Sequence, residues 1–283
     1  MGPTSVFTFV VSVTTITTQH SLFSVPDFPF HSFPFHTSTL FRSLILIAVS
    51  NFNLRLTISY LFKMVNLGDV FPDFEAETTQ GQVQFHEWLG DSWGLLFSHP
   101  ADFTPVCTTE LGRFAQLQDK FEERNVKLIA LSCDGVESHL KWIEDIRAHS
   151  KVDKFTFPII ADEKRELAIQ FGMIDPDEKD ATGMPLTCRA VFLLGPDKRL
   201  KLSLLYPATT GRNFDEILRV IDSVQLTAKY KVATPADWKH GTYCMVLPTV
   251  KDEDLAELFP AGVEQQTLPS GKGYLRTTPC PDQ

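Results

Sequence analysis

The run of residues 126–131, VKLIAL, constrains the fold more than any other feature of this sequence. Its two alternating sets of side chains are both apolar apart from Lys127, so it is predicted to be a strand buried on both faces. Parallel strands covered by helices have this pattern. Val136, Leu140 and Ile143 follow at a helical spacing and predict a helix that returns over the sheet on this apolar face.

From Phe71 onward the chain alternates strand-like and helix-like segments in the same way. The expected strands are 83–89, 94–100, 157–161, 188–195 and 200–207, with a tight turn at 196–198 between the last two. The expected helices are about 105–123, about 165–171, and a third from Asn213, a good capping residue, to about Tyr230. This rhythm predicts a layered α/β domain, followed by a small module at about 231–283.

Residues 1–63 have a different composition from the rest of the chain. They contain Asp27 as their one acid and Arg42, Arg55 and Lys63 as their strong bases. The apolar run 43–50 is much shorter than the ~20 residues that a membrane helix needs. We expect 1–63 to be an extension that is disordered or outside the mature protein, with Met64 as an alternative start.

Charge and cysteine content exclude several classes of protein. The whole chain has 26 bases and 35 acids, a net charge of −9, which gives no basic field to attract nucleic acid. Its five cysteines are scattered and form no C-x-x-C pair, which argues against a disulfide scaffold and against zinc. A cytoplasmic location is expected, or a mitochondrial one if residues 1–63 are a targeting segment.

Cys107 lies where a helix is predicted to begin. Thr104 is a suitable N-cap and Pro105 suits the first helical position, so Cys107 falls in the first turn. Free backbone N–H groups and the helix dipole stabilise a thiolate there, and the thiolate is the reactive form. From the spacing alone, a buried structural cysteine is an equally good interpretation.

The pattern Pro100-x-x-x-Thr104-x-x-Cys107, with Arg189 at a distant strand start, resembles the active site of the peroxiredoxins. The wording of residues 105–110, PVCTTE, is characteristic, and segments 183–185, 205–212 and 235–238 resemble the 1-Cys subgroup. The resemblance implies a thioredoxin-like peroxidase domain at 64–230, a small C-terminal peroxiredoxin domain at 231–283 that serves dimerisation, and a homodimer.

The same resemblance implies a mechanism. Cys107 would attack hydrogen peroxide or an alkyl or phospholipid hydroperoxide and become a sulfenic acid, with no metal or other cofactor. Thr104 would hydrogen-bond the thiolate and the peroxide, Arg189 would stabilise the developing charge, and Pro100 would exclude water. An external thiol, by family expectation glutathione with glutathione transferase as a partner, would reduce the sulfenic acid.

Three more residues are candidates for the pocket. Glu110 could orient a second arginine such as Arg212, or be an exposed helix glutamate. His99 could line the pocket beside Pro100, or close a strand by bonding a carbonyl. For Glu110 and for His99, both alternatives stay open.

Gly90-Asp91-Ser92-Trp93-Gly94 matches the G-x-S-x-G motif of α/β-hydrolases. The local pattern favours a surface turn, because a strand follows the serine where a hydrolase has a helix. The family resemblance nevertheless implies a calcium-independent phospholipase A2 activity of Ser92, His86 and Asp197, with contact to phospholipid surfaces. A non-enzymatic thioredoxin-like holdase or scaffold is the alternative function.

No resolving cysteine is expected for Cys107. Cys133 and Cys244 are predicted to fill the core. Strand alternation is expected to point Cys188 away from the pocket if Arg189 faces it. Cys280, in a tail expected to be mobile, is the one serious rival.

Overall fold

The computed structural model describes residues 65–282, which belong to one compact unit. The predictions made for residues 1–63 lie outside the described residues. Among the helices that are described, none has the length and apolar character required to cross a membrane.

A seven-stranded sheet carries the fold, with the strand order β2-β1-β5-β4-β3-β8-β9. Its strands are β1 (Glu75–Thr78), β2 (Gly81–Gln84), β3 (Trp93–Ser98), β4 (Val126–Ser132), β5 (Ile159–Ala161), β8 (Arg189–Leu194) and β9 (Leu200–Tyr206). β4 lies at the centre and is parallel to both β3 and β5. The prediction of a central parallel strand is therefore confirmed, as is the antiparallel pairing of β8 with β9.

Helices cover both faces of this sheet. They are α1 (Phe85–Leu89), α2 (Pro105–Gln116), α3 (Gln118–Glu122), α4 (Val136–Ser150), α5 (Glu166–Gln170) and α6 (Phe214–Lys229). A short hairpin, β6 (Ile174–Lys179) with β7 (Pro185–Thr187), lies between α5 and β8. Asn213 caps α6 as predicted, since its side chain accepts hydrogen bonds from the backbone N–H groups of Asp215 and Glu216.

The two faces of β4 enter two separate hydrophobic clusters. Leu128 and Ala130 pack with side chains of α2, α4 and α6, whereas Ile129 and Leu131 pack on the opposite face with side chains of α1 and α5. Alternating side chains of a strand point to opposite faces, so an almost continuous apolar run is what a doubly covered strand requires.

Three local predictions are wrong. Residues 85–89 form helix α1 instead of continuing strand β2. The single helix expected over 105–123 is broken at Leu117, where ψ is 10°. Leu140 is 49% exposed, because α4 is rotated to bury His139, Trp142 and Ile146.

A four-stranded sheet follows α6, with the order β10-β11-β13-β12. Its strands are β10 (Val232–Ala233), β11 (Cys244–Val246), β12 (Glu264–Gln265) and β13 (Arg276–Thr278), with a short helix α7 (Leu255–Leu258) between β11 and β12. Its own hydrophobic cluster includes Leu226, Trp238, Cys244, Phe259 and Cys280. Cys280 is thus buried in this cluster, contrary to its expected place in a mobile tail.

Candidate active site

Cys107 lies in the first turn of α2, as predicted, and is 1% exposed. Thr104 has the extended backbone of an N-cap residue, and its carbonyl accepts the Thr108 N–H at 3.0 Å. Its hydroxyl makes no cap, contrary to the prediction, and donates instead to the Ala101 carbonyl at 2.8 Å. Pro105 lacks an N–H and fits the first helical position.

Arg189, the first residue of β8, brings a guanidinium to this sulfur. Its Nη1 lies 3.4 Å from Cys107 Sγ and 2.8 Å from Glu110 Oε2. Nε and Nη2 both donate to the Ala208 carbonyl, at 2.9 and 2.6 Å. Arg189 is 2% exposed, so the charge of its guanidinium acts on the sulfur with little solvent screening.

Glu110 holds two arginines at once. Its carboxylate accepts from Arg189 and from Nε, Nη2 and the backbone N–H of Arg212, at distances of 2.7–3.0 Å. Burial by itself would raise the pKa of Glu110, but the charge and hydrogen bonds of Arg212, together with the charge of Arg189, hold it below its usual value. Glu110 is 3% exposed, so its interpretation as an exposed helix residue is wrong.

Arg212 is fixed by more than its carboxylate. Its Nη1 donates to the Ala190 carbonyl at 2.9 Å, and its guanidinium lies 5.4 Å from the ring centre of Phe97 and 5.6 Å from that of Phe114. These contacts fit an arginine, whose planar group donates in several directions and stacks on aromatic faces.

His99 follows β3 and belongs to a buried network that the sequence did not predict. Its Nε2 lies 2.9 Å from Asp102 Oδ1, and His139 Nδ1 lies 2.7 Å from Asp102 Oδ2. Burial alone would raise the pKa of Asp102, but the hydrogen bonds from His139 and His99 hold it far below its usual value. Desolvation lowers the pKa of His99. His99 therefore bonds a carboxylate, not the carbonyl of the alternative interpretation.

Asp102 and His139 are the residues of the site that sequence reasoning missed. The short spacing from His99 to Asp102 was the available signal. His139 carried no such signal, because the apolar spacing predicted that Leu140, and not His139, lies on the buried face of the helix. The ligand-type atoms of His99, Asp102 and His139 lie within 4.8 Å of one another, which is close enough for a metal ion. The ring nitrogens that face Asp102 are already hydrogen-bonded to it, so a hydrogen-bond network explains this arrangement.

A cavity of about 540 Å³ adjoins the first turn of α2. Phe103, Thr104, Pro105, Thr108 and Trp142 contribute to its wall. The backbone of Phe103 has a φ of 53°, in the left-handed region. A bulky residue adopts this region only at a cost in conformational energy. Pro100 is buried at the end of β3, close in sequence to this turn.

The structure does not bring Ser92, His86 and Asp197 into hydrogen-bonding contact. The Ser92 hydroxyl donates to Asn125 Oδ1 at 3.0 Å. His86 Nε2 lies 2.8 Å from the Phe71 carbonyl. Asp197 pairs with Lys201 at 2.6 Å. Within residues 65–282, each member of the expected phospholipase set thus has a different partner.

The other cysteines lie away from the Cys107 sulfur environment. Cys188 packs in the cluster on the opposite face of the sheet, together with the partly buried Cys133. Burial raises the pKa of the Cys133 and Cys188 thiols, to about 12 for Cys133. Cys244 and Cys280 belong to the cluster of the four-stranded sheet.

Comparison with known proteins agrees with this geometry. Residues 67–203 match the AhpC/TSA family, and residues 223–260 match the C-terminal domain of 1-Cys peroxiredoxin. The chain is 65% identical to peroxiredoxin-6 of Gallus gallus over 219 residues, which cover 76% of this chain and 98% of that protein. For peroxiredoxin-6 of Homo sapiens the identity is 65% over 218 residues, which cover 76% and 97%.

Solved structures give the same result. A mutant of peroxiredoxin 6 from Arenicola marina is 64% identical, with a TM-score of 0.76 over 77% of this chain and all of that one. A yeast mitochondrial 1-Cys peroxiredoxin is 42% identical, with a TM-score of 0.68 over 76% of this chain and all of that one. The fold is thus the thioredoxin-like fold of these enzymes, as predicted. The chain belongs to the AhpC/TSA family of peroxiredoxins, and within it to the 1-Cys, peroxiredoxin-6 type.

Proposed function

We propose that this thiol peroxidase reduces hydrogen peroxide and alkyl and phospholipid hydroperoxides at Cys107. The single observation that carries the proposal is the contact of Arg189 Nη1 with the Cys107 sulfur at 3.4 Å, where both residues are buried. The Cys107 thiolate attacks the terminal peroxide oxygen and the O–O bond breaks. The sulfur becomes a sulfenic acid, and the leaving oxygen takes a proton and departs as water or an alcohol.

Each neighbouring residue has a distinct part in this proposal. Arg189 stabilises both the thiolate and the charge that develops on the leaving oxygen. Glu110 and Arg212 are positioning residues, because they fix the Arg189 guanidinium. The Thr104 hydroxyl proton points to Ala101, so its oxygen is able to accept a hydrogen bond from the peroxide O–H.

His99 and Pro100 complete the pocket. His99 has its Nε2 engaged by Asp102 while its buried Nδ1 has no hydrogen-bond partner within the described residues. That nitrogen is available to a peroxide or a sulfenic acid in the pocket. Pro100 adds apolar bulk without an N–H, which keeps water from the sulfur.

The proposed reductant is an external thiol, with glutathione as the first candidate and a glutathione transferase as its carrier. One thiol condenses with the sulfenic acid and releases water, and a second thiol reduces the mixed disulfide and regenerates Cys107. The yeast 1-Cys relative is described as resolved through glutathione and thioredoxin systems, which supports this choice.

We also propose a homodimer. β9 is an edge strand of the seven-stranded sheet, and its Leu205 is 55% exposed. Unpaired edges with apolar side chains are sites of strand pairing between chains. Light scattering is expected to show a dimer that Leu205→Glu weakens and that the control Leu140→Glu, on the exposed side of α4, leaves intact.

The decisive experiment is peroxide consumption by the full chain with glutathione. Cys107→Ser is expected to abolish turnover, whereas the matched control Cys133→Ser retains it. Equal turnover in Cys107→Ser and the unmodified chain would overturn the proposal. Absence of turnover with every thiol donor would favour the holdase.

Phospholipase A2 activity is a second candidate function, at Ser92, His86 and Asp197. Lys198, next to Asp197, donates to the Gly90 carbonyl, and its own carbonyl accepts the Phe71 N–H at 2.8 Å. Phe71 in turn bonds His86. These contacts link the segments that carry Ser92, His86 and Asp197. The proposal still requires a local rearrangement, such as one at a phospholipid surface, that frees Ser92 from Asn125.

A further inference from the structure

Two thiols lie close together at the C-terminal sheet. β11 pairs antiparallel with β13, and Cys244 lies opposite Thr278 in that pairing. Cys280 comes two residues after Thr278, just past the end of β13, and enters the hydrophobic cluster that contains Cys244. Both side chains belong to the same buried cluster, and Cys280 is close enough to Cys244 to contribute to the raised pKa of the Cys244 thiol.

The surroundings of the two thiols differ in access. Cys280 borders a partly open cavity of about 490 Å³ that Tyr243, Val263 and Thr278 also line. Its thiol donates to Asp282 Oδ1 at 3.0 Å. Cys244 is 0% exposed and is not among the residues that line this cavity. A small oxidant that enters the cavity therefore reaches Cys280 before Cys244. Cys244 is then the neighbouring thiol that attacks the oxidised Cys280 sulfur.

We propose that Cys244 and Cys280 form a second redox site, which hydroperoxide converts into an intramolecular disulfide independently of Cys107. The Cys280 sulfur attacks the terminal oxygen of the hydroperoxide, the O–O bond breaks, and Cys280 becomes a sulfenic acid. The other peroxide oxygen takes the thiol proton and leaves as an alcohol or water. The Cys244 thiol then attacks that sulfur and releases water. Two thiols lose their hydrogens and one peroxide O–O bond is reduced, so atoms and electrons balance.

The environment makes this reaction slow. Burial raises the pKa of both thiols, to about 12 for Cys244, so few thiolates exist at neutral pH. The pair is therefore expected to oxidise at least about a hundredfold more slowly than Cys107, and to respond to sustained peroxide excess. The disulfide would close the loop between β11 and the end of the chain, which restricts the unfolded state and stabilises this sheet.

The test uses the full chain with Cys107→Ser, which leaves four cysteines and removes the peroxidase reaction. After hydrogen peroxide treatment, thiol titration is expected to fall from four to two. Trypsin without reductant is expected to release residues 240–251 linked to residues 277–283, and dithiothreitol to separate them. The melting temperature of the oxidised chain is expected to rise by about 5 °C.

Two further variants in the same background control this result. Cys280→Ser is expected to prevent the linked peptide, whereas Cys188→Ser, in the other domain core, is expected to retain it. Four titratable thiols after treatment, oxygen added to Cys280 without a link to Cys244, or a link from Cys280 to any other cysteine would each overturn the proposal. Because Cys107 is absent from the experiment, its outcome is separate from that of the proposed peroxidase mechanism.

Discussion

Arg189 Nη1 lies 3.4 Å from the sulfur of Cys107, although 82 residues separate the two along the chain. The same nitrogen donates to Glu110 at 2.8 Å, three residues beyond the cysteine on the same helix. The position of the cation that faces the sulfur is therefore set by a carboxylate on the element that carries the sulfur.

Arg189→Lys is expected to lower kcat/KM for hydrogen peroxide by about 100-fold, even though the charge is kept. A lysine ammonium is a point charge and cannot contact the sulfur, Glu110 and the Ala208 carbonyl together, as the guanidinium does. Stopped-flow oxidation kinetics would measure this. Near-normal kcat/KM would show that Arg189 does not contact the reacting atoms.

Glu110→Gln is expected to destabilise the protein by about 3–5 kcal/mol, because two buried guanidinium groups lose their shared countercharge. Urea unfolding measures the effect. Glu216→Gln is the matched control, since its ion pair with Arg219 is partly exposed and is worth no more than about 1 kcal/mol. Equal losses in the two variants would contradict the central role of Glu110. Oxidation of Cys107 in Glu110→Gln should also slow by at least about tenfold.

The stability of the folded protein is expected to depend on pH through Asp102. Its pKa in the folded protein is depressed by His139 and His99, so its contribution to stability is fully present above the ordinary aspartate pKa of about 4 and is lost as the pH falls below it. Asp102→Asn should cost about 2–4 kcal/mol at neutral pH and progressively less in acid.

Urea midpoints measured from pH 7 down to about pH 3 test this dependence. The exposed Asp153→Asn variant serves as the control and should follow the unmodified chain at every pH. If the difference between Asp102→Asn and the unmodified chain did not narrow in acid, the network would not depend on an ionised Asp102.

Ser92→Ala is expected to leave peroxidase activity within about twofold of normal and to remove any phospholipase A2 activity. The serine contacts Asn125 and lies outside the contacts that surround Cys107. Both activities should be assayed on one preparation, with phospholipid vesicles for the hydrolysis. Parallel loss of both would mean that Ser92 supports the fold or the membrane contact instead.

Cys107 is expected to work without a resolving cysteine from the same chain. Turnover with glutathione should survive Cys280→Ser and disappear in Cys107→Ser, because Cys280 is buried in the cluster of the C-terminal sheet. Non-reducing gels and peptide mapping of the early oxidised product provide the measurement. A Cys107–Cys280 disulfide as the main product would refute the one-cysteine mechanism.

The sequence by itself determined the order of strands and helices around β4, the helix start at Cys107 and the family. These features rest on local rules: apolar periodicity decides which faces are buried, and Pro105 after an extended Thr104 sets where a helix begins. The errors at residues 85–89 and at Leu140 arose where tertiary packing overrides such rules. Helix α4 is rotated because His139 is buried against Asp102, a contact that apolar spacing does not encode.

Only the tertiary structure decided which polar groups meet. It placed Glu110 between Arg189 and Arg212, although sequence spacing equally allowed a solvent-exposed glutamate. It paired Ser92 with Asn125 and His86 with the Phe71 carbonyl, instead of with each other. It also brought Cys280 into the core beside Cys244. The physical reason is that a buried charge needs a partner within a few ångströms, whereas a buried thiol needs apolar neighbours. Distant segments supply both only once the chain has packed.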